Sequence, residues 1–345
     1  MSTHHSPLYE LTLARLRQFF REPGAVFWTF GFPLVLSLAL GLAFRNKPPD
    51  PISVAVEDGP QAERIAAVLA TRTDIHARRM SEGDAHQALR TGKVALVITS
   101  AEPRVYTFDR MRPDSKVARA VIDDVLQVAE GRKDPTTVTD RQIDEPGGRY
   151  IDFLIPGLLG TNLMQSGLWG LGFAIVEMRT QKLLKRLVAT PMNRAQFLLS
   201  FIIMRLVFLL LELPVLLGFG WLAFGVTVHG SWLLLLGISI LGAIAFSGIG
   251  LLVGSRAQNT TTAGGLMNLV MMPMFLLSGV FFSSANFPDV LQPFIKLLPL
   301  TALNDSLRAV MNDGAGLSAV LAPMGVLVAF SVVSFATALR IFRWQ

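Results

Sequence analysis

Residues 173–197, FAIVEMRTQKLLKRLVATPMNRAQF, separate two long apolar runs of the chain. The first run stops at Glu177, and the second begins near Phe197. Between them, apolar side chains recur at helical spacing among basic residues: Leu183, Leu184, Leu187 and Val188. The pair Thr190-Pro191 would end such a helix, because the residue before a proline avoids helical geometry. The stretch therefore predicts a short basic helix that connects two membrane spans.

The composition places this segment in a membrane protein. The chain has 345 residues, of which 51% are hydrophobic, and its mean hydropathy is positive. A run of about 20 apolar residues crosses a hydrocarbon core about 30 Å thick. We therefore predict a polytopic α-helical membrane protein with six transmembrane helices, at about 24–44, 153–176, 197–226, 232–253, 262–282 and 317–339. Residues 1–23, with apolar and arginine side chains mixed, predict a cytoplasmic amphipathic helix at the membrane interface.

Residues 45–151 differ from the rest of the chain, because they hold more than half of its charged residues, with equal numbers of acids and bases. Short apolar runs predict strands at 52–56, 74–79, 94–99 and 104–108, and amphipathic runs predict helices at 61–71, 83–90 and 115–130. The segment therefore predicts a small α/β domain inserted after the first span. The remainder, 152–345, would hold the other five transmembrane helices.

The distribution of basic residues predicts the orientation in the membrane. The N-terminal arm, residues 178–196, the link at 254–261 and the C-terminal tail carry Arg and Lys, and six spans put them all on one side. The positive-inside rule makes that side cytoplasmic. Both termini would then be cytoplasmic, and the 45–151 domain would be extracytoplasmic. Residues 283–316, Pro-broken but with an apolar stripe, would form an extracytoplasmic segment on or dipping into the membrane surface.

Several kinds of chemistry are absent from the sequence. There is no Cys, so the chain has no disulfide and no Cys-ligated metal. No Walker A loop, no H-E-x-x-H helix and no G-x-S-x-G elbow occurs, so the chain does not bind ATP through a P-loop. The net charge of +6 comes from residues around the spans, where it reports orientation and not a nucleic-acid partner.

By pattern alone the 178–192 helix has two compatible interpretations. One is a surface-lying linker whose basic residues meet anionic headgroups, and the other is a helix presented to a cytoplasmic partner. Two longer stretches bear on this choice. Residues 149–200 join a span to an acidic residue, the basic helix and a Thr-Pro pair, and residues 278–311, SGVFFSSANFPDVLQPFIKLLPLTALNDSLRAVM, contain Phe-Pro, Pro-Leu-Thr and Leu-Arg.

In their order and spacing these stretches resemble the permease subunits of type-2 ABC exporters. The inserted domain, from ISVAVEDGP (52–60) to ALVITS (95–100), is similar to the large extracytoplasmic domain that one branch of that family has between its first two spans. The resemblance implies a six-span subunit that dimerises and pairs with a separate cytoplasmic P-loop ATPase. ATP and Mg would be bound by that ATPase, and no cofactor or metal by this chain.

The resemblance also implies that 178–192 is the coupling helix that receives the motion of the ATPase. The coupling residues that it implies or that the helical pattern adds are Glu177, Arg179, Lys182, Leu183, Arg186, Leu187, Thr190 and Pro191. Many relatives have a more charged run after the acid, where this chain has Met178-Arg179-Thr180. This departure puts the role of Arg179 in question more than that of the helix.

A second group of candidate residues lies within the predicted spans. Glu212 sits mid-span, and Arg205 precedes it by seven residues on the same helical face. An intramembrane carboxylate is costly, so it faces either a cavity or a partner. Two interpretations follow: a cavity-lining or gating group, or a pair that only holds the helices together. Asn268 adds a polar group in the fifth span, beside methionines that predict either a substrate path or plain core: Met267, Met271, Met272 and Met274.

These features favour one function over another. The first hypothesis is the permease subunit of an ABC exporter in the bacterial cytoplasmic (inner) membrane, which moves an amphipathic or lipid-like substrate such as a drug, lipid, glycolipid or metabolite. Its partners would be the ATPase, a second permease copy in a homodimer or related heterodimer, membrane lipids and an envelope protein at the outer domain. The alternative is a membrane-anchored sensor or assembly scaffold whose α/β domain binds a ligand or partner.

Overall fold

The computed structural model describes residues 12–13, 16–17, 19–44, 51–133, 136, 139, 148–183 and 194–341. It divides into two compact units. One unit is Lys47–Ile143, and the other combines Met1–Asn46 with Asp144–Gln345. Most of the predicted amphipathic helix at 1–23 lies outside the described residues.

The first apolar run forms one continuous helical path. A short turn at Pro23–Val26 passes through a π-helical turn, Phe27–Gly31, into helix α1, Phe32–Ala43. The residues at both junctions keep right-handed helical dihedrals, so the path does not break at Pro33. Pro33 lies directly after the π-helical turn, in the first turn of α1.

The unit Lys47–Ile143 is a three-layer α/β fold. Its elements in chain order are β1 Ile52–Glu57, α2 Ala62–Leu69, β2 Ile75–Met80, α3 Glu82–Arg90, β3 Leu96–Ile98, β4 Tyr106–Thr107 and α4 Pro113–Ala129. The sheet order is β2-β1-β3-β4, with β4 antiparallel to β3 and the other pairs parallel. Val54 and Val56 of β1 pack against α2 and α4, and Ala55 packs against α3 on the other face. All seven predicted elements are present, because each strand is bounded by turns and each helix has one apolar face.

The other unit is helical. After α1 its elements are α5 Tyr150–Gly167, a π-helical segment Leu168–Phe173, α6 Ala174–Thr180, α7 Arg194–Phe224, α8 Trp232–Arg256, α9 Thr260–Leu277, a short helix Gln292–Leu297, α10 Pro299–Met311 and α11 Leu317–Ile341. Among the described residues, α8, α9, α11 and the 199–224 part of α7 are long and apolar enough to cross a membrane. The α1 path is shorter, and α5 carries several polar residues. The predicted total of six spans remains a prediction.

Helix α5 is the centre of this unit, because almost its whole surface is buried. Helix α8 packs against the segment that continues α5, and glycines allow the close approach. A Cβ on Gly250 would lie 2.7 Å from the carbonyl oxygen of Gly167, and one on Gly254 would lie 2.6 Å from that of Gly172. The small-residue pattern therefore marks a helix contact here, whereas Gly170 has no atom within 4 Å of its would-be Cβ and faces open space.

The segment 283–316, predicted to lie on or dip into the membrane surface, has two parts that differ in burial. Its first part, with short 3₁₀ turns at Ser284–Asn286 and Asp289–Leu291, is mostly exposed. Helix α10 is instead buried among α5, α8 and α11. The reason is its continuous apolar face, together with Asn304, whose side chain donates a hydrogen bond to the carbonyl of Ser278 at 3.0 Å.

Candidate functional site

A cavity of about 840 Å³ lies in the helical unit. Its walls come from Phe19, the α1 path, α5 with its π-helical continuation, α6, α7 and Ser247 of α8. The α5–α6 path contributes several lining residues at helical spacing: Asn162, Gln165, Ser166, Trp169, Gly170, Phe173 and Glu177. The π-helical turn at Leu168–Phe173 lies in the middle of this face, and such turns occur frequently at functional sites.

A buried ion pair on α7 lines the cavity. Arg205 Nη1 donates to Glu212 Oε2 at 3.0 Å, and Ser166 Oγ donates to Glu212 Oε1 at 3.1 Å. Arg205 is 8% exposed and Glu212 is 1% exposed. The seven-residue spacing puts the two side chains on one face of α7, so the pairing anticipated from the sequence is present. Both residues also line the cavity. They therefore form an ion pair and belong to the cavity wall, which were the two alternatives that the sequence left open.

The ion pair leaves part of the guanidinium unused. Among the described residues, Nε and Nη2 of Arg205 are buried and have no hydrogen-bond partner. A buried donor without a partner costs about 1–3 kcal/mol, and more when it is charged. A pair of this kind therefore adds little to the stability of the fold by itself, because the desolvation of both ions offsets their attraction.

Aromatic side chains form much of the remaining wall. Phe19, Phe201 and Phe208 lie on one side, and the rings of Phe19 and Phe208 are 4.3 Å apart. Trp169 lines another side and donates from Nε1 to Met271 Sδ at 3.1 Å. The cavity thus combines an apolar aromatic surface with one buried polar centre, an arrangement typical of sites for amphipathic ligands.

Arg179, one of the predicted coupling residues, caps the end of α8. Its Nη1 donates to the carbonyls of Ala257 at 2.9 Å and Gly254 at 3.2 Å, and its Nη2 donates to that of Ser255 at 3.3 Å. The last carbonyls of a helix lack intrahelical partners and carry the negative end of its dipole. The guanidinium satisfies both requirements, so the start of the predicted coupling segment is tied to the end of α8.

The other predicted coupling residues divide into two groups. Glu177 lines the cavity and accepts a bond from Gln181 Nε2 at 3.3 Å. Lys182 adopts a left-handed backbone conformation, φ 58°, just after α6 ends, and Leu183 is half-buried. Arg186, Leu187, Thr190 and Pro191 lie outside the described residues, as does most of the predicted helix at 178–192.

Asn268 does not join the ion pair. It is exposed on α9 and is absent from the walls of the cavity. Of the nearby methionines, Met267 and Met274 are buried in the core, Met271 accepts the bond from Trp169, and Met272 is exposed. The methionines therefore do not form a substrate path in this conformation, and the plain-core interpretation fits the buried ones.

Three cavity-lining residues of α5 were not predicted from the sequence: Asn162, Gln165 and Ser166. Gln165 follows Asn162 by three positions and Ser166 follows Gln165 directly, so the three side chains share one face of the helix. This pattern is detectable, because polar side chains on one face of an otherwise apolar helix mark a face turned away from lipid. Within the described ranges no cluster of three or more His, Cys, Asp or Glu residues could hold a metal ion.

The chain was compared with known proteins. The profile of one family, described as ABC-2 family transporter protein, matches residues 23–340. An inner membrane transport permease of Escherichia coli is 31% identical over 120 residues, which is 34% of this chain and 32% of that protein. The linearmycin resistance permease protein of Bacillus subtilis is 24% identical over 188 residues, or 50% of this chain and 45% of that protein.

A third relative is ABC transporter G family member 20 of Dictyostelium discoideum, 25% identical over 181 residues, or 52% of this chain and 25% of that protein. The chain spans less than half the length of each of these relatives. The family match, by contrast, begins where the α1 path begins and ends one residue before the end of α11.

Proposed function

The chain belongs to the ABC-2 family of transporter proteins, and we propose that it is the transmembrane permease subunit of an ATP-driven exporter. The family match over residues 23–340 carries this proposal, because it includes every candidate span as well as the α/β unit. In this proposal the chain is a six-span subunit of the bacterial cytoplasmic (inner) membrane, with both termini in the cytoplasm and residues 45–151 outside. The subunit acts as a dimer of permeases, and the cargo is amphipathic.

In this proposal a separate P-loop ATPase binds ATP and Mg and hydrolyses the ATP. The 178–192 segment docks on that ATPase through its basic and leucine side chains. The three hydrogen bonds from Arg179 support a role in coupling, since a push on 178–192 passes through them to the end of α8. Glu177 lines the cavity at the same end of α6, so the same push also reaches the cavity wall. The closing ATPases would thus switch the cavity between two states of access.

Affinity purification tests the partner. We expect a P-loop ATPase to co-purify in mild detergent with the native chain and to be lost when Leu183, Leu184 and Leu187 are all changed to Asp. The matched control puts three acids at exposed apolar positions of the α/β unit, Met111, Val117 and Val128. That control should retain the ATPase. If no ATPase co-purifies with the native chain in several detergents, the exporter proposal is wrong. If the Leu-to-Asp variant retains the ATPase, or if both variants lose it equally, the docking role of 178–192 is wrong.

The absence of Cys allows a direct test of orientation. Met111→Cys places a thiol at an 88% exposed position of the α/β unit, and Lys182→Cys places one at an exposed position after α6. A membrane-impermeant maleimide added to intact spheroplasts should label the first thiol and reach the second only after permeabilisation. Labelling of both, or the reverse order, would contradict the topology.

A further inference from the structure

Arg205 lines the cavity, and one hydrogen-bonding face of its guanidinium group is buried and unused. In a guanidinium group, Nε–H and one N–H of Nη2 point the same way and form a fork that matches the two oxygens of a carboxylate or phosphate. Glu212 occupies Nη1 and leaves this fork without a partner among the described residues. We propose that the cavity binds an amphiphile with an anionic carboxylate or phosphate head, which the fork of Arg205 holds. That this amphiphile is the transported substrate rests on the proposed function.

The surroundings of Arg205 fit such a head. Ser247 also lines the cavity, and Asn162 and Gln165 bring side-chain amides that can donate to further oxygens of the ligand. The two free nitrogens of Arg205 are shielded from water in this conformation. Met204, which also lines the cavity, has a flexible side chain that can move aside for the ligand.

The tail of the ligand would lie against the aromatic wall. Phe19, Phe201 and Phe208 line the cavity together with Trp28 and Trp169. Pockets of about 300–1,000 Å³ with apolar walls and a few convergent polar groups are typical of sites for molecules of this size. The volume of about 840 Å³ lies within that range.

Glu212 has a defined role in this proposal. It is the resident counter-ion that makes a buried guanidinium tolerable when the cavity is empty of ligand. The ligand's anionic head would therefore meet repulsion from Glu212 as well as attraction from Arg205. Two further carboxylates, Glu22 and Glu177, line the cavity at exposed positions. A cationic amphiphile is the rival ligand, and the charge of Glu212 separates the two, because its removal strengthens the binding of an anion and weakens that of a cation.

The experiment uses the full-length chain purified in dodecyl maltoside. Four probes are titrated while the tryptophan fluorescence is followed, since Trp28 and Trp169 line the cavity. Dodecyl phosphate and dodecanoate carry anionic heads, dodecyltrimethylammonium carries a cationic head on the same tail, and inorganic phosphate has no tail. We expect saturable binding of the two anionic amphiphiles. Glu212→Gln should tighten it by about tenfold, because the repulsion by a nearby charge is removed.

Two more variants test whether Arg205 binds the anionic head of the ligand. The double variant Arg205→Met with Glu212→Met replaces the ion pair by apolar side chains of similar volume, an exchange that is often neutral for folding. Relative to Glu212→Gln, which already lacks the repelling charge, it should weaken the binding of dodecyl phosphate by about tenfold or more, the value of a lost charge-assisted hydrogen bond. Arg340→Met removes one exposed positive charge outside the cavity and should leave binding unchanged. An unaltered gel-filtration profile of the double variant establishes that it folds.

Three results would overturn the proposal. Tighter binding of dodecyltrimethylammonium, loosened by Glu212→Gln, would make the cavity a cation site. Equally tight binding of inorganic phosphate would remove the role of the tail, and binding in the folded double variant as tight as in Glu212→Gln would show that Arg205 does not hold the head. None of these measurements needs the ATPase, so a failure to bind anionic amphiphiles is distinct from a failure to co-purify the partner.

Discussion

The cap that Arg179 forms on α8 allows a quantitative prediction. Arg179→Ala removes three hydrogen bonds to the carbonyls of Gly254, Ser255 and Ala257. A hydrogen bond from a charged donor contributes about 1.5–3 kcal/mol when it is buried. Arg179 is only part-buried, and water can reach the carbonyls once the side chain is gone. We therefore expect a local loss of about 2 kcal/mol, less than one full contribution per bond.

Hydrogen–deuterium exchange measures this loss where it occurs. A loss of about 2 kcal/mol accelerates exchange about thirtyfold, since 1.4 kcal/mol corresponds to a factor of ten. The acceleration should appear in the amides of the last turn of α8, 253–257, and in α6, which loses the same attachment. Amides of α2 and α4 in the α/β unit should exchange at their original rates and serve as an internal reference.

Arg256→Ala is the matched control. Arg256 is also a positive charge beside the last turn of α8, but it belongs to that turn and its side chain is exposed. Its loss should therefore remove only the interaction with the helix dipole, about 0.3–1 kcal/mol, or at most about a fivefold acceleration. If both variants accelerate exchange equally, the charge alone matters and the three hydrogen bonds do not. If Arg179→Ala leaves 253–257 unchanged, α6 and α8 are not coupled through this residue.

Two further predictions concern packing and ionisation. Gly250→Ala places a Cβ 2.7 Å from the carbonyl oxygen of Gly167, so it should destabilise the fold by about 1–3 kcal/mol through overpacking and lower the thermal midpoint in detergent. Gly237 lies on the same helix and its would-be Cβ has no atom within 4 Å, so Gly237→Ala should not lower the midpoint. Equal midpoints of the two variants would contradict the close contact at Gly250. Burial raises the pKa of Tyr106 above its usual 10, and its phenol donates a hydrogen bond to Asp123. The protonated phenol therefore stabilises the fold at lower pH, and this stability is lost as pH rises through the raised pKa. The absorbance of the native chain at 295 nm minus that of Tyr106→Phe should then titrate above pH 10, and a midpoint at or below 10 would refute the burial.

The local structure of this protein could be predicted well from its sequence. The strands and helices of the α/β unit follow from period-two and period-3.6 patterns, because each element buries one face against its neighbours. The four longest apolar helices are detectable because length and hydropathy alone qualify a helix to cross a membrane. The pairing of Arg205 with Glu212 also follows from spacing, since seven residues make two helical turns.

The tertiary structure decided which of these groups meet across different helices. Spacing along α7 could not place Ser166 of α5 beside Glu212, nor show that two nitrogens of Arg205 would be left without a described partner. It could not bring Arg179 to the carbonyls of α8, which lie about 75 residues further along the chain. The burial of α10 and the exposure of Asn268 likewise depend on how the helices pack and not on spacing along one helix. Periodicity determines which face of a helix is apolar, whereas the neighbour that covers each face depends on how all the helices pack together.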